Sequence, residues 1–332
     1  MSCSDLAASG ARKLPVMLPC AYFVASQVKR CLENNIPELV RVLEEGFRRL
    51  ALGPEGGIVQ PQRHIVPVKD ASGELLSMPA YIASGQALAT KVITNYPNNR
   101  SPLPSIQGVV LLFHAGTGAL KCVMDAIEIT AYRTAAASAV ATKYLATEGP
   151  KILAVLGAGT QARSHARIMA TMFRFEQVRI WNHRESSAAS LVQELAARGI
   201  PARYEASAED AVRDADVVVT ATSSPKPVLQ AGWLKKGAHV NAVGAPRPDW
   251  QELSEELMRQ AVVYVDSTEG ARAESGDVII SGADIFAEIG EVVLGAKENR
   301  RSDTTVFKSL GMAMEDVLAA DLVYRHLTND ES

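Results

Sequence analysis

Residues 151–162 read Lys151-Ile-Leu-Ala-Val-Leu-Gly157-Ala158-Gly159-Thr160-Gln161-Ala162. The first half is a continuous apolar run, the pattern of a parallel strand buried on both faces. The second half is a G-x-G-x-x-A turn that opens a helix predicted over 161–173. Gly157 allows the tight turn, Gly159 lets the backbone approach a pyrophosphate, and Ala162 lets the helix pack closely on the sheet. The free N–H groups and positive dipole end of that helix then face the anion. A strand, this turn and a helix in that order predict a dinucleotide site. Downstream, β-type runs at 177–182, 217–220, 239–243 and 262–266 alternate with helical stretches at 186–198 and 251–260. That rhythm belongs to a doubly wound parallel sheet.

Upstream the texture differs. A helix is predicted over 37–50, with Leu39, Leu43, Phe47 and Leu50 at helical spacing and Gly53-Pro54 as its stop. Short β-type runs follow at 64–68, 75–82, 89–96 and 109–113, the last forming a hairpin with 119–124 across Ala115-Gly-Thr-Gly118. This half reads as a mostly antiparallel sheet with a flanking helix. A helix over 129–145 joins it to the second half, and a last helix over 308–327 is expected to cross back.

The 332 residues suffice for two domains. A composition 47% hydrophobic and 21% charged excludes disorder for most of the chain. A net charge of −3 provides no basic field, so nucleic acid is not an expected partner. Cys3, Cys20, Cys31 and Cys122 lack C-x-x-C spacing and read as free thiols of a reducing compartment. No apolar run reaches the length of a membrane span, and Asp5 with no apolar core after it does not suit a secretory signal, so a cytoplasmic location is expected. Neither a G-x-S-x-G elbow, an H-E-x-x-H helix nor a G-x-x-x-x-G-K-[ST] loop is present, and no metal site is expected.

The strand after the glycine turn ends at Trp181-Asn182-His183-Arg184. An Asp or Glu there, about 20 residues beyond the glycines, would hold the ribose 2′-hydroxyl of NAD. This chain has no acid at that place. Arg184, helped by Asn182 and His183, offers charge-assisted hydrogen bonds to a 2′-phosphate, which points to NADPH. The alternative is a solvated loop arginine. Thr222-Ser223 and Val243, at the carboxyl ends of two later strands, face the ligand crevice and suit a nicotinamide ribose or any strand-end turn.

Three cations of the first half stand at informative places: Arg63 in Gln60-Pro-Gln-Arg63, Lys91 inside the apolar strand Leu88-Ala-Thr-Lys91-Val-Ile, and Arg133 in the Ala-rich helix. A buried charge costs stability unless it is paired or binds an anion. Together they would make a site for a small carboxylate. The competing readings are a solvated strand face for Lys91 and a structural ion pair of Arg133 with Asp125 or Glu128.

Gln60-Pro-x-Arg63, Thr90-Lys91, Ile129-Thr-Ala-x-Arg133-Thr-Ala-Ala, Gly157-Ala-Gly-x-Gln-Ala162, Trp181-Asn182, Asn241-Ala-Val-Gly-Ala245-x-Arg-Pro-Asp-Trp250, Glu274-Ser-Gly-Asp277 and Phe307-Lys-Ser-Leu-Gly-Met312 together resemble the ornithine cyclodeaminase/mu-crystallin family, from about Leu39 to Tyr324. The implied fold is α/β: a Rossmann-type doubly wound parallel sheet over 135–300, plus a mostly antiparallel α+β substrate/dimerisation domain built from 1–134 and 301–332. The resemblance implies a homodimer, NADPH-dependent ketimine reductase activity on cyclic imino-carboxylates of the piperideine- or pyrroline-2-carboxylate type, and thyroid-hormone binding. It assigns catalysis and substrate binding to Arg63, Lys91 and Arg133, with Ser105 and Glu274 also at the substrate. It assigns the cofactor to Ala158, Thr160, Gln161, Asn182, Thr222, Val243 and Ser309, beside the Gly157, Gly159, His183, Arg184 and Ser223 read from the glycine turn and the strand ends themselves.

Three departures matter. The crystallin members carry Arg directly after the strand-end Asn, where this chain has His183-Arg184. Ala245-Pro-Arg-Pro stands where the cyclodeaminases carry an acidic proton acceptor, which argues against ornithine deamination. Ile106 replaces a His near the hormone pocket. The rival functions are an alanine dehydrogenase of the same family and a non-enzymatic NADPH-dependent thyroid-hormone carrier or lens crystallin. Because a protonated imine accepts hydride better, activity is expected to favour mildly acidic pH.

Overall fold

The computed structural model describes residues 20–100 and 102–328. Cys3 and Asp5 lie outside them. The first sheet contains β1 (Ala21–Phe23), β2 (Ile58–Val59), β3 (His64–Val68), β4 (Gly73–Ile82), β5 (Ala87–Asn95), β6 (Ile106–His114) and β7 (Leu120–Asp125), in the order β1-β7-β6-β5-β4-β2 with β3 also on β4. All its pairings are antiparallel except β1 with β7. Strand alternation places Met78, Ala80, Ala87, Ala89, Lys91, Val110 and Leu112 in the buried inner layer and leaves their neighbours partly exposed on the other face.

Three helices precede the second sheet: α1 (Ala25–Asn34), α2 (Ile36–Ala51) and α3 (Ala126–Leu145). β1 and α1 precede the first helix read from the sequence, where no element is predicted. α3 begins where Asp125 caps it by accepting from the Glu128 amide at 2.8 Å. It is buried nearly all round because it lies between the two sheets, and its alanines let both approach closely.

The second sheet is parallel throughout, with β8 (Ile152–Leu156), β9 (Gln177–Trp181), β10 (Ala202–Tyr204), β11 (Val217–Thr220), β12 (His239–Ala242), β13 (Val262–Val265), β14 (Ile285–Glu288) and β15 (Thr305–Lys308) in the order β10-β9-β8-β11-β12-β15-β13-β14. Its crossovers carry α4 (Thr160–Met172), α5 (Glu185–Ala196), α6 (Ala208–Val212), α7 (Glu255–Gln260), α8 (Thr268–Glu274), α9 (Gly276–Ser281) and α10 (Ile289–Leu294). α7 is shorter than the stretch read from sequence because Ser254 caps it, accepting from the Leu257 amide.

The strand order reverses between β8 and β11, so the crevice of this sheet opens at Gly157. β15 corrects the expected boundary near 301. Residues 305–308 form a central parallel strand, and the last helix, α11, starts at Ala313 rather than Lys308. From there it packs on the inner face of the first sheet beside α2 and α3. A single apolar core runs from Leu112 and Met124 through the α3 alanines to Leu153 and Val155. Among the described residues no helix is long and apolar enough to cross a membrane.

Candidate active site

Gly157 has φ +125, and a Cβ there would run into the Ala221 carbonyl at the end of β11. Any side chain would thus force the two strands apart at the switch point. Gly159, the residue before α4, has open space where its Cβ would be. Ala162 is fully buried against the sheet. The amides at the start of α4 therefore follow a turn kept free of side chains at Gly157 and Gly159, which suits a pyrophosphate. Gln161 Oε1 is buried with no hydrogen-bond partner. Asn182 Nδ2 donates to the Arg184 carbonyl at 3.0 Å, fixing the loop from which His183 and Arg184 extend exposed. No carboxylate of the described residues pairs with Arg184. Replacing Gly157 by Val is expected to abolish retention on a nucleotide-affinity resin; normal retention would contradict this account of the turn.

The other strand ends are held from below by buried charge. Glu252 Oε1 accepts from the Thr222 amide and hydroxyl, each at 2.6 Å, and Oε2 accepts from the Gly244 amide at 2.8 Å. Lys308 Nζ donates to the Gly244 carbonyl and to Asp277 Oδ2. The Thr222 hydroxyl, read as suited to a nicotinamide ribose, donates to Glu252 and so helps tie two loops together. Ser223 is exposed, and Val243 and Ser309 follow β12 and β15 at the crevice edge.

Arg63, Lys91 and Arg133 belong to one ion-pair cluster, and each already has a carboxylate. Lys91 Nζ lies 2.7 Å from Asp316 Oδ2, a contact held by charge, since that oxygen lacks a well-directed hydrogen bond. Arg133 donates from Nε to Asp316 Oδ1 at 3.0 Å and from Nη1 to Glu315 Oε2 at 2.8 Å. Arg63 pairs with Glu274 at 3.2 Å and donates to the Leu310 and Gly311 carbonyls. Gly311 has φ +81, and a Cβ there would overlap the Arg133 guanidinium. The 309–312 turn is pinned from beneath by Asp266 Oδ2, which accepts from the Leu310 and Gly311 amides at 2.6 Å each.

Two expectations change here. Arg133 pairs with Glu315 and Asp316, not with Asp125 or Glu128; Asp125 is spent capping α3. Lys91 is 1% exposed, so the solvated-face alternative fails. The reason is the register: Ala87, Ala89 and Lys91 share the face that α11 covers.

The electrostatics follow from burial. Desolvation lowers the Lys91 pKa to about 8 against the pull of Asp316. It raises Glu315 to about 7 against the pull of Arg133, and raises Glu274 against Arg63. Desolvation also opposes the charge of Arg133, but Asp316 and Glu315 outweigh it and hold that group more firmly protonated than usual. A cleft of about 300 Å³ opens beside the cluster, lined by Gln60, Arg63, Met78, Asp266, Gly311 and Met312. Met78 is the residue paired with Lys91 across β4 and β5.

Ser105 is not part of this arrangement. It is exposed, and its carbonyl accepts from the Tyr96 amide, five residues along the strand direction from Lys91, or roughly 16 Å at the usual rise. Reading the cations alone missed Asp316 and Glu315, whose only sequence signal is an acidic pair in the first turn of the last helix, among apolar neighbours.

The family model for the ornithine cyclodeaminase/mu-crystallin family matches residues 22–331. The ketimine reductase mu-crystallin of Rattus norvegicus is 49% identical over 92% of this chain and 96% of its own. Among solved structures, the Thermococcus litoralis Delta(1)-pyrroline-2-carboxylate reductase in complex with NADH and L-proline is 35% identical, with a TM-score of 0.87 over 93% of this chain and 98% of its own. An archaeal alanine dehydrogenase dimer with bound NAD is 33% identical, with a TM-score of 0.85 over 94% of this chain and 98% of its own.

Proposed function

The chain belongs to the ornithine cyclodeaminase/mu-crystallin family, and from that membership we propose that it is an oxidoreductase that reduces the C=N bond of cyclic ketimine carboxylates with NADPH. The observation that carries this reading is the buried Lys91–Asp316–Arg133 cluster beside a cleft at the carboxyl edge of a dinucleotide-type sheet. The reductase relative holds NADH and L-proline, a cyclic imino acid of the kind such a reduction yields.

The cofactor supplies a hydride to the imine carbon. Gly157, Ala158 and Gly159, with the Thr160 and Gln161 amides, would hold its pyrophosphate. Arg184, with Asn182 and His183, would hold the 2′-phosphate. Arg63 and Arg133 grip the substrate carboxylate, and Glu274 orients Arg63. Lys91 places a positive charge, with a proton to give, near the imine nitrogen; Asp316 keeps it oriented and charged. Holding the imine carbon in place against the nicotinamide lowers the barrier further.

A charge-assisted contact contributes about 1.5–3 kcal/mol. Arg184→Ala should therefore weaken NADPH about 10–100-fold and leave NADH nearly unchanged. Equal losses for both, measured by fluorescence titration, would exclude the 2′-phosphate role. Because Lys91 acts as a cation and burial sets its pKa to about 8, kcat/KM should fall at least about tenfold per unit above pH 8. A profile flat through pH 9 would remove Lys91 from proton delivery.

The alanine dehydrogenase alternative is separated by assay with pyruvate plus ammonia. Against a carrier that has lost turnover stands Lys91 itself, kept charged inside a strand at a desolvation cost that binding a hormone does not require.

A homodimer belongs to the same proposal. The outer face of the first sheet carries partly exposed Leu75, Tyr81, Leu88, Val92, Leu111 and Phe113, and no helix of the described residues lies over it. Beside it Val59 is 64% and Val66 57% exposed. An apolar face of this extent marks an interface.

A further inference from the structure

The three cations that would receive a substrate carboxylate are spent. Arg63, Lys91 and Arg133 face Glu274, Asp316 and Glu315, and Asp266 lies beneath the turn that Arg63 holds. Three positive groups thus stand against four carboxylates. An incoming carboxylate would be the fifth, in a region where Lys91, Arg133, Asp266, Glu315 and Asp316 are each at least 96% buried. An added uncompensated charge is too costly there, so a proton must enter with it.

Geometry selects the group that takes the proton. Glu315 Oε2 occupies the Nη1 end of Arg133, the end-on position that a substrate carboxylate would need. Its other oxygen accepts from the Met312 amide at 3.1 Å, a bond that a protonated carboxyl keeps. Asp316 bridges two cations, Lys91 and Arg133, and is better held. Asp266 carries backbone amides on both oxygens. Glu274 is partly exposed and outside the buried set. The charged groups facing Glu315 are Arg133 from α3, Asp266 from the end of β13 and Asp316 from its own helix, with Lys91 on β5 and Arg63 behind them.

We infer that Glu315 is the internal occupant of the substrate-carboxylate seat: binding displaces it from Arg133 Nη1, and the displaced carboxyl takes one proton from solvent. The inference rests on the ketimine reductase reading and deepens it. Glu315 is a positioning residue that acts through Arg133. Its exchange couples occupancy of the seat to entry of a proton, and reduction of a C=N bond consumes one. The acidity of Glu315, raised by burial to about 7, lets the exchange operate near neutral pH.

The probe is pyrrole-2-carboxylate, a planar ring anion whose nitrogen does not take up a proton. Its binding to the NADP⁺-loaded enzyme is followed calorimetrically at pH 7.5 in two buffers of different ionisation enthalpy. Uptake of roughly 0.5–1 proton per site is expected, and Glu315→Gln should lose more than half of it. The part that remains reports Lys91. Equal heats in the two buffers, or full uptake in Glu315→Gln, would overturn the inference. Should Glu315→Gln not fold, the wild-type dissociation constant decides: it should rise between pH 6.5 and 8, severalfold in all, and a flat profile overturns the exchange. Ketimine turnover together with proton-independent binding sinks the exchange alone. Absence of both turnover and binding sinks the functional reading, and the exchange with it.

Discussion

Lys91→Met is expected to lower kcat/KM for a cyclic ketimine about 10²–10⁴-fold, the usual contribution of a positioned acid, while NADPH affinity and the circular dichroism spectrum stay as in wild type. Met conserves the volume and straight stem of Lys, and its neighbours on the inner face, Ala89, Val110 and Met78, are apolar. Asp316 keeps its bond to Arg133 Nε, so the variant leaves no carboxylate stranded. What is lost is the buried cation on β5. A loss smaller than tenfold in steady-state NADPH oxidation would mean that Lys91 is structural and that the proton comes from elsewhere.

Asp316→Asn should be the more damaging to the fold. That carboxylate serves Lys91 and Arg133 together at 2.7 and 3.0 Å, with no solvent to replace it. Removing one partner of a buried ion pair costs about 3–5 kcal/mol because the remaining charge is left uncompensated. Urea denaturation should show that loss in the single variant. The double variant Lys91→Met with Asp316→Asn should recover part of it, since only Arg133 is then short, and Glu315 still holds Arg133. Additive losses in the cycle would show that the two side chains do not act as a pair.

The parallel sheet was legible because its strands announce themselves. A five-residue apolar run followed by Gly157-Ala-Gly159 has few other readings, and β11 and β13 are short apolar runs next to a helix, whereas β10, three residues with an exposed Arg203, and β14 lie outside the runs read from the sequence. β15 was missed as part of that sheet because Thr305–Lys308 follows a polar stretch and ends in a lysine that only the buried Asp277 and the Gly244 carbonyl make tolerable. α1 was missed because its buried face is only Val28, Cys31 and Leu32, too narrow a stripe to stand out among charged neighbours.

At the site, period-two alternation puts Lys91 on the face of Ala87 and Ala89, but Leu88 and Val92 make the other face apolar as well, so only α11 decides which face is buried. The partner of Lys91 was not legible either, since nothing local links residue 91 to residue 316; that distance closes only when α11 folds back over the first sheet. The same return explains why Arg133 was matched to nearby acids. Sequence proximity favours Asp125 and Glu128, but the guanidinium reaches across to the start of α11. Glu252, Lys308 and Asp277 were likewise invisible as a unit, because each is an isolated charge in its own segment.

The most direct test of the account follows the hydride itself. Wild-type enzyme is given NADPH deuterated at the transferring carbon together with pyrroline-2-carboxylate or piperideine-2-carboxylate, and the ring product is examined by mass spectrometry and NMR. The expected result is a cyclic imino acid carrying one deuterium on the carbon that bears the carboxylate, with no comparable formation of labelled alanine from pyruvate and ammonia. An enzyme that binds NADPH but leaves both ketimines unlabelled, or that labels alanine faster than either ring, would contradict it.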